Sequence, residues 1–536
     1  MASETFAGLL LERADDDHVG LRFEDETYTW AEVVEAARRR AALLGAGRPH
    51  VGVLLENVPE YVFWIGAAAL AGATVVGINP TRRGAELAAD IRHTDCELIV
   101  TDTAHASLLH GLDLGVDRVL RVDSADYVLP EPAEPLPVRP EDRLLLLFTS
   151  GSTGAPKAVA CGQGRLASIA CMSAMMGIGR DSVTYVAMPL FHGNAVMANF
   201  SFAVHAGATV VLRRKFSASG FLPDVRRYGV TYFNYVGRAL AYILATPRGE
   251  DDARNTLQAC FGTEASAQDM ARFGERFGCH IIEGYGSSEG AISLRKTPDT
   301  PPDALGVAPP DVEIAVLDPE TGAECPRVRF DEHGGLANPD EAIGEIVGLN
   351  VAAAFEGYYN NPEADAERVR DGKYWSGDLG YRDDKGFFYF AGRGTDWLRV
   401  DSENFAAAPV ERILARWEPV VMCAVFPVPD PRTGDQVMAA LEVAGDFDPA
   451  ALAAFLAAQP DLGTKWAPRF VRVVPSMPLT ATGKVDKKPL RRERWDTQDQ
   501  VWRRPGRDLA YERLDASAAE ALKAEFTANG RAHVLY

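Results

Sequence analysis

An α/β architecture is expected for this chain: a large N-terminal body of layered sheets and helices with several subdomains, followed by a smaller α+β unit, the boundary falling between residues 394 and 395. Three features carry that expectation. Helix-type and strand-type patterns alternate through the first hundred residues; an apolar run, Leu144 to Leu147, enters a loop of glycines and hydroxyls; and after Trp397 the pattern shortens to brief helices and strands.

The first element follows from Thr29 and Glu32, a capping-box pair ahead of Val33, Val34, Ala37, Ala41 and Leu44, with Gly45 as a stop, so Thr29 to Ala46 reads as an amphipathic helix. His50 to Leu55 and Leu98 to Thr101 read as strands. Between them, Tyr61 to Asn79 is uncharged for nineteen residues, close to the ~20 that span a bilayer. Gly66, Gly72 and Gly77 interrupt it, and Thr74-Val75-Val76 is β-branched, so a buried helix followed by a buried strand is the expectation. The proline-rich stretch from Val128 to Pro140 forms an extended connection.

That connection leads to Leu144–Val159, LLLLFTSGSTGAPKAV. Gly151 and Gly154 let backbone N–H groups turn inward together, Thr149, Ser150, Ser152 and Thr153 add hydroxyl donors, and Lys157 adds a positive charge. Each part suits a polyphosphate. Pro156 separates the glycines from Lys157, so this is not the Gly-Lys-Ser/Thr loop that opens a helix, and the loop is expected to be mobile.

Composition narrows the function classes. Over 536 residues the formal net charge is −20, which argues against nucleic acid as a main partner, since phosphate neutralisation needs a basic face. Arg213-Arg214-Lys215 and the group Lys487, Lys488, Arg491, Arg492 and Arg494 read as solvated surface. Seven cysteines are scattered without a C-x-x-C pair, which suits a reducing compartment. The N-terminus lacks a basic stretch ahead of an apolar one, so no secretory signal is expected and the location reads as cytoplasmic. Peripheral membrane contact and a homodimer are compatible with the sequence.

The 149–157 loop resembles the signature of adenylate-forming enzymes, the superfamily of acyl-CoA synthetases, luciferases and peptide-synthetase adenylation domains. Further motifs match in order. Met188 to Gly193 resembles the aromatic motif, which implies that Phe191 and His192 shape the acyl pocket without transferring a proton. Val230 to Ile243 resembles the fatty-acid transport protein and long- or very-long-chain acyl-CoA synthetase branch at Tyr-x-Gly; this puts Tyr235 and Gly237 along an acyl tunnel, with Gly284 beside it. Phe261 to Ala265, then Ile282 to Gly290, resemble adenine and phosphate motifs. They imply nucleotide contacts from Gly262, Thr263, Glu264, Gly284, Tyr285, Gly286 and Ser287, a hydroxyl from Ser288 where threonine is usual, and Mg²⁺ on Glu289. A tyrosine face can stack on adenine and a carboxylate can hold Mg²⁺ beside phosphates.

Tyr374 to Gly380 resembles the motif whose aspartate, here Asp378, holds both ribose hydroxyls, and Gly392 to Asp396 the junction motif with Arg393. Leu479 to Val485 resembles the Gly-Lys loop of a mobile lid, which makes Lys484 the catalytic cation. The tail from Leu509 to Phe526 also resembles the fatty-acid transporter branch. Two positions depart from the pattern: Thr395 stands at the hinge and Ser402 where glycine is usual. ATP, Mg²⁺ and coenzyme A are the implied cofactor and substrates. A carboxylate is already nucleophilic at pH 7, so its adenylation needs charge management and no Ser-His-Asp machinery. The resemblance thus implies an ATP-dependent fatty acyl-CoA synthetase. An acyl-AMP ligase serving a carrier protein, prompted by Ser402, and a lipid-uptake protein of the same fold are the alternatives.

Overall fold

The structure, a computed structural model, describes residues 3–149, 157–236, 239–263, 265, 267–332, 336–393, 397–400, 403–431, 435–462, 465–480, 483–506, 508–529 and 531–535. Contacts divide the chain into two compact units: residues 1–263, 271–291 and 353–367 form the first, and 264–270, 292–352 and 368–536 the second.

In the first unit, six strands form one sheet in the order Arg118–Arg121, Leu98–Thr101, His50–Leu54, Thr74–Gly77, Arg143–Phe148 and Ala158–Gly162. All neighbours are parallel except the last pair, in which Ala158–Gly162 runs back along Arg143–Phe148. Apart from the largely exposed edge strand Arg118–Arg121, the strands are buried almost throughout, as a sheet covered on both faces requires. The expected helix forms at Trp30–Leu44, with both hydrogen bonds of the Thr29–Glu32 capping box in place. The uncharged segment becomes a 13-residue helix, Pro59–Ala71, closed by Gly72 at φ +63°, and then the strand Thr74–Gly77. No helix among the described residues is long and apolar enough to cross a membrane.

A seven-stranded sheet lies in the same unit, ordered His280–Glu283, Ala259–Thr263, Tyr232–Val236, Val183–Val186, Thr209–Leu212, Val19–Phe23 and Glu26–Thr29. The last two form a hairpin that the sequence did not announce. Their burial is too uneven to leave a clean period-2 signal; Val19–Phe23 is fixed as a strand by pairing with Thr209–Leu212, nearly two hundred positions away, and Glu26–Thr29 by pairing with Val19–Phe23.

The second unit holds two further five-stranded sheets. One contains Ile314–Leu317, Gly344–Gly348, Val369–Arg370, Lys373–Arg382 and Phe388–Arg393, the last two paired as the expected hairpin. The other runs Val420–Pro429, Asp435–Val443, Phe470–Val473, Gln500–Arg503 and Glu512–Arg513. Its core packs Leu398, Phe405, Ile413, Val425 and Leu441 against Leu452 of the helix Pro449–Ala457. The helix expected from Pro409 begins two residues earlier, Ala407–Leu414, with the proline still in the first turn, where its missing N–H costs no bond. The Arg213-Arg214-Lys215 cluster is neutralised by Asp224, Glu24 and Glu56, a paired surface as expected.

Candidate active site

In the first unit the strand Arg143–Phe148 turns back on itself through the candidate phosphate loop. Phe148 pairs with Ala158, and Thr149 N–H donates to Lys157 O at 3.1 Å, so the loop closes an antiparallel hairpin and is anchored at both ends by strands. Ser150, Gly151, Ser152, Thr153 and Gly154 lie outside the described residues, as do Gly237 and Glu264. Lys157 Nζ donates to Glu367 Oε2 at 3.0 Å and stands 5.6 Å from the Tyr358 ring centre. The Tyr358 hydroxyl donates to Glu289 Oε1 at 2.7 Å. One tyrosine therefore links two of the sequence candidates, Lys157 and Glu289.

Tyr358 reaches that place because 355–361 is laid along the returning strand. Gly162 N–H donates to Glu356 Oε2 at 2.6 Å, Ala160 N–H to Gly357 O at 3.1 Å, and Tyr359 N–H to Ala158 O at 2.8 Å. Gly357 adopts φ +88°, which turns Tyr358 N–H onto Asp365 Oδ1 at 2.7 Å. Glu289 is only 7 % exposed, and a buried carboxylate is retained where hydrogen bonds or a cation meet it. A single carboxylate suits Mg²⁺ that keeps its waters and arrives with phosphates. Among the described residues no group of three or more His, Cys, Asp or Glu forms a cage that holds a metal by itself.

The turn carrying Ser288 and Glu289 is held by Arg165, which donates from Nη2 to Ser288 O and from Nη1 to Ala160 O at 3.0 Å. Gly290 sits at φ +69° with Arg165 pressed against it: a Cβ there would lie 2.2 Å from Nη2. On the other side, Gly193 approaches so closely that an added Cβ would be 3.1 Å from Ser288 Oγ. Phe191 is buried and His192 half-buried in the segment leading to that glycine, so the aromatic motif and the Tyr285–Glu289 motif do meet.

Tyr235 is fully buried on the strand Tyr232–Val236, and its hydroxyl donates to Glu283. Gly262, on the neighbouring strand, lies flat under the Tyr235 ring; any side chain at 262 would collide with the ring. Gly284 lies close to Phe261 in the same way, at 3.1 Å from an added Cβ, so the glycines of both motifs make room for aromatic rings. Thr263, Gly284, Tyr285, Gly286 and Ser287 follow at the ends of parallel strands, the usual place for ligand-binding loops in such sheets.

The second unit brings Asp378 and Arg393 side by side: they are direct cross-strand partners in the hairpin. Asp378 N–H donates to Ser376 Oγ at 3.1 Å, and Gly377, at φ +76°, donates to Glu345 Oε1 at 2.6 Å. Burial raises the Glu345 carboxyl above its ordinary range, against the lowering pull of that N–H and of Arg370. Lys484 stands in a tight turn closed by Thr480 N–H to Lys484 O at 2.7 Å and Gly483 N–H to Thr480 O at 2.9 Å, with Leu479 and Val485 bridged. Thr395 and Ser402, the two departures, lie outside the described residues. Sequence reasoning missed Tyr358, Arg165, Glu356 and Glu345. Tyr358 stands 69 positions from Glu289, and no local pattern joins them.

The chain matches the AMP-binding enzyme family over residues 11–359 and the AMP-binding enzyme C-terminal domain over 409–484. It is 54 % identical to a steroid-22-oyl-CoA synthetase of Rhodococcus jostii, over 99 % of both chains. A medium/long-chain-fatty-acid–CoA ligase of Mycobacterium marinum is 45 % identical over 94 % of this chain and 98 % of that one. Among solved structures, ATP-bound MatB of Rhodopseudomonas palustris aligns with a TM-score of 0.78 at 25 % identity, covering 92 % of this chain and 98 % of that one. The amide bond synthetase McbA of Marinactinospora thermotolerans aligns at 0.76 and 27 %, covering 92 % and 100 %.

Proposed function

The chain belongs to the AMP-binding enzyme family, and from that premise we propose that it is an ATP-dependent fatty acyl-CoA synthetase, an AMP-forming acid–thiol ligase. The juxtaposition of Lys157, Tyr358 and Glu289 carries this reading, because it pairs a cation for phosphates with a carboxylate for the metal that accompanies them. In the first step a carboxylate oxygen attacks the α-phosphorus of ATP and pyrophosphate leaves. In the second the thiol of coenzyme A attacks the acyl carbon, AMP leaves with the former carboxylate oxygen, and the thiol proton passes to solvent.

The loop from Thr149 to Lys157 holds the β- and γ-phosphates, Ser288 the α-phosphate, and Tyr285 the adenine. Glu289 would hold Mg²⁺, which when bound would supply positive charge to the departing pyrophosphate, and the Tyr358 hydroxyl fixes the Glu289 carboxylate. Asp378 takes the ribose hydroxyls, Arg393 meets the ribose or phosphates, and Lys484 supplies positive charge to the adenylation transition state. Residues 1–394 act as the adenylation body and 395–536 as the lid. A second reading, an acid on a steroid side chain, is favoured by the 54 % identity over the whole chain. Purified protein with ATP, Mg²⁺, coenzyme A and a panel of fatty acids and steroid side-chain acids should release AMP; no AMP from any acid refutes both readings.

A further inference from the structure

Immediately after His192 the chain makes one helical turn, Gly193–Ala195, and then a π-helical turn, Val196–Phe200. Such turns are uncommon and concentrate at functional sites. This one carries Asn199, which is 0 % exposed and faces Asn234, also 0 % exposed, on the strand Tyr232–Val236. Asn199 Nδ2 donates to the Tyr185 backbone carbonyl at 3.1 Å and to Asn234 Oδ1 at 2.7 Å. Asn234 Nδ2 donates in turn to Asn194 Oδ1 at 2.6 Å and leans on Asn194 O at 3.4 Å.

Each amide taken alone could be turned over without changing its shape. Together they cannot. A backbone carbonyl only accepts, so the Tyr185 oxygen requires Nδ2 of Asn199 to face it. The remaining N–H of Asn199 then makes Asn234 present Oδ1, which leaves Asn234 to donate, which makes Asn194 present Oδ1 inward. The polarity of the whole file is set by one carbonyl, and its free end is the amide N–H₂ of Asn194. The arrangement comes at a visible cost, because Asn199 Oδ1 is buried without a donor among the described residues.

Asn194 is only half-buried, and among the described residues its Nδ2 has no acceptor. It follows Gly193, whose added Cβ would sit 3.1 Å from Ser288 Oγ and 3.4 Å from Met197 Sδ. The residue that carries the donor is thus the next one along from the glycine at which the aromatic motif meets the Ser288 turn. A pocket for bare hydrocarbon is lined by apolar groups; a fixed donor in it selects for an acceptor on the ligand.

Resting on the acyl-CoA synthetase reading above, we propose that Asn194 is a specificity-determining residue that donates a hydrogen bond to a hydroxyl or oxo oxygen on the body of the acyl substrate, with Asn234 and Asn199 as positioning residues. The acid taken is an oxygenated lipid carboxylate.

The test measures kcat/KM for hexadecanoic acid, for hydroxy- and oxo-hexadecanoic acids with the oxygen walked along the chain, and for an oxo-steroid side-chain acid. The wild-type enzyme should prefer an oxygenated acid to its unsubstituted counterpart. Asn194→Leu, close in size, should cut that preference by roughly 10–100-fold while changing kcat/KM for hexadecanoic acid by less than about threefold. Asn234→Asp still accepts from Asn199 but has no N–H for Asn194; it should cut the same preference, a ratio that a purely structural defect leaves alone. The proposal is overturned if Asn194→Leu lowers every acid alike, as loss of a carboxylate contact does, if the preference survives it, or if no oxygenated acid is preferred by the wild type. A wild-type protein inert toward every acid removes the synthetase reading, and this inference with it.

Discussion

Around Glu289 the fold gathers charges: a lysine, two glutamates and an arginine held in place by a tyrosine and by backbone turns. Around Asn194 it gathers neutral amides whose direction is set by one carbonyl. Both regions belong to the first unit, and Gly193 is where they meet. The difference follows from the ligands proposed for each. Phosphates and Mg²⁺ carry formal charge and are the same for every acid, so they call for ions. An acyl body is neutral and varies, so discrimination falls to oriented dipoles, which cost less to bury than ions do.

The largest effect expected is in the charged machinery. Lys484→Ala should lower adenylation by about 10²–10³-fold, while thioester formation from supplied acyl adenylate survives; equal loss of both halves, measured separately, would remove the role given to Lys484. Tyr358→Phe comes next. It strips a hydrogen bond from a buried carboxylate, worth about 1.5–3 kcal/mol for a charged acceptor, so the Mg²⁺ concentration for half-maximal adenylation should shift about tenfold. An unchanged Mg²⁺ titration would mean that Tyr358 does not tune Glu289.

Gly290→Ala sharpens the comparison from the backbone side. A side chain at φ +69° costs about 1–2 kcal/mol, and this one also displaces Arg165, so thermal stability and adenylation should fall together. Arg165→Ala should restore part of the stability lost in Gly290→Ala if the clash is real.

The smallest effect lies far from either region. Asp16 accepts from both Arg180 Nη atoms, at 2.8 and 2.7 Å, and from His18 N–H at 3.0 Å; the Arg180 bond leads in holding its carboxyl well below the usual range. A lowered folded-state pKa contributes stability that is present above the unfolded value, ~3.9, and disappears as pH falls toward the folded one. Asp16→Asn should therefore reduce stability modestly at neutral pH, and the gap to wild type should narrow progressively below about pH 4. A constant gap across that range, read from unfolding curves, contradicts the assignment.

What the sequence revealed and what it hid follow the same divide. The capping box at Thr29 and Glu32, the helix-then-strand reading of Tyr61 to Asn79, and the strand entering the phosphate loop were legible because each signal lies within a few residues. Lys157 and Glu289 were named from local motifs, and Asp378 and Arg393 likewise, before the hairpin showed them paired. Tyr358, Arg165 and the asparagine file were not legible. Their meaning depends on contacts across 69, 123 and 40 positions, and an isolated asparagine or tyrosine in a buried segment looks like ordinary core. The antiparallel return from 158 to 162 escaped for a related reason: a five-residue buried run does not disclose its partner's direction.

Acid activation by adenylation is tested most directly by the fate of a carboxylate oxygen. With the acid labelled by ¹⁸O at both carboxyl oxygens, and ATP, Mg²⁺ and coenzyme A present, the AMP released should carry one labelled oxygen on phosphorus, the acyl-CoA should keep the other in its thioester carbonyl, and the pyrophosphate should be unlabelled. Unlabelled AMP, or release of ADP and phosphate in its place, would contradict the account.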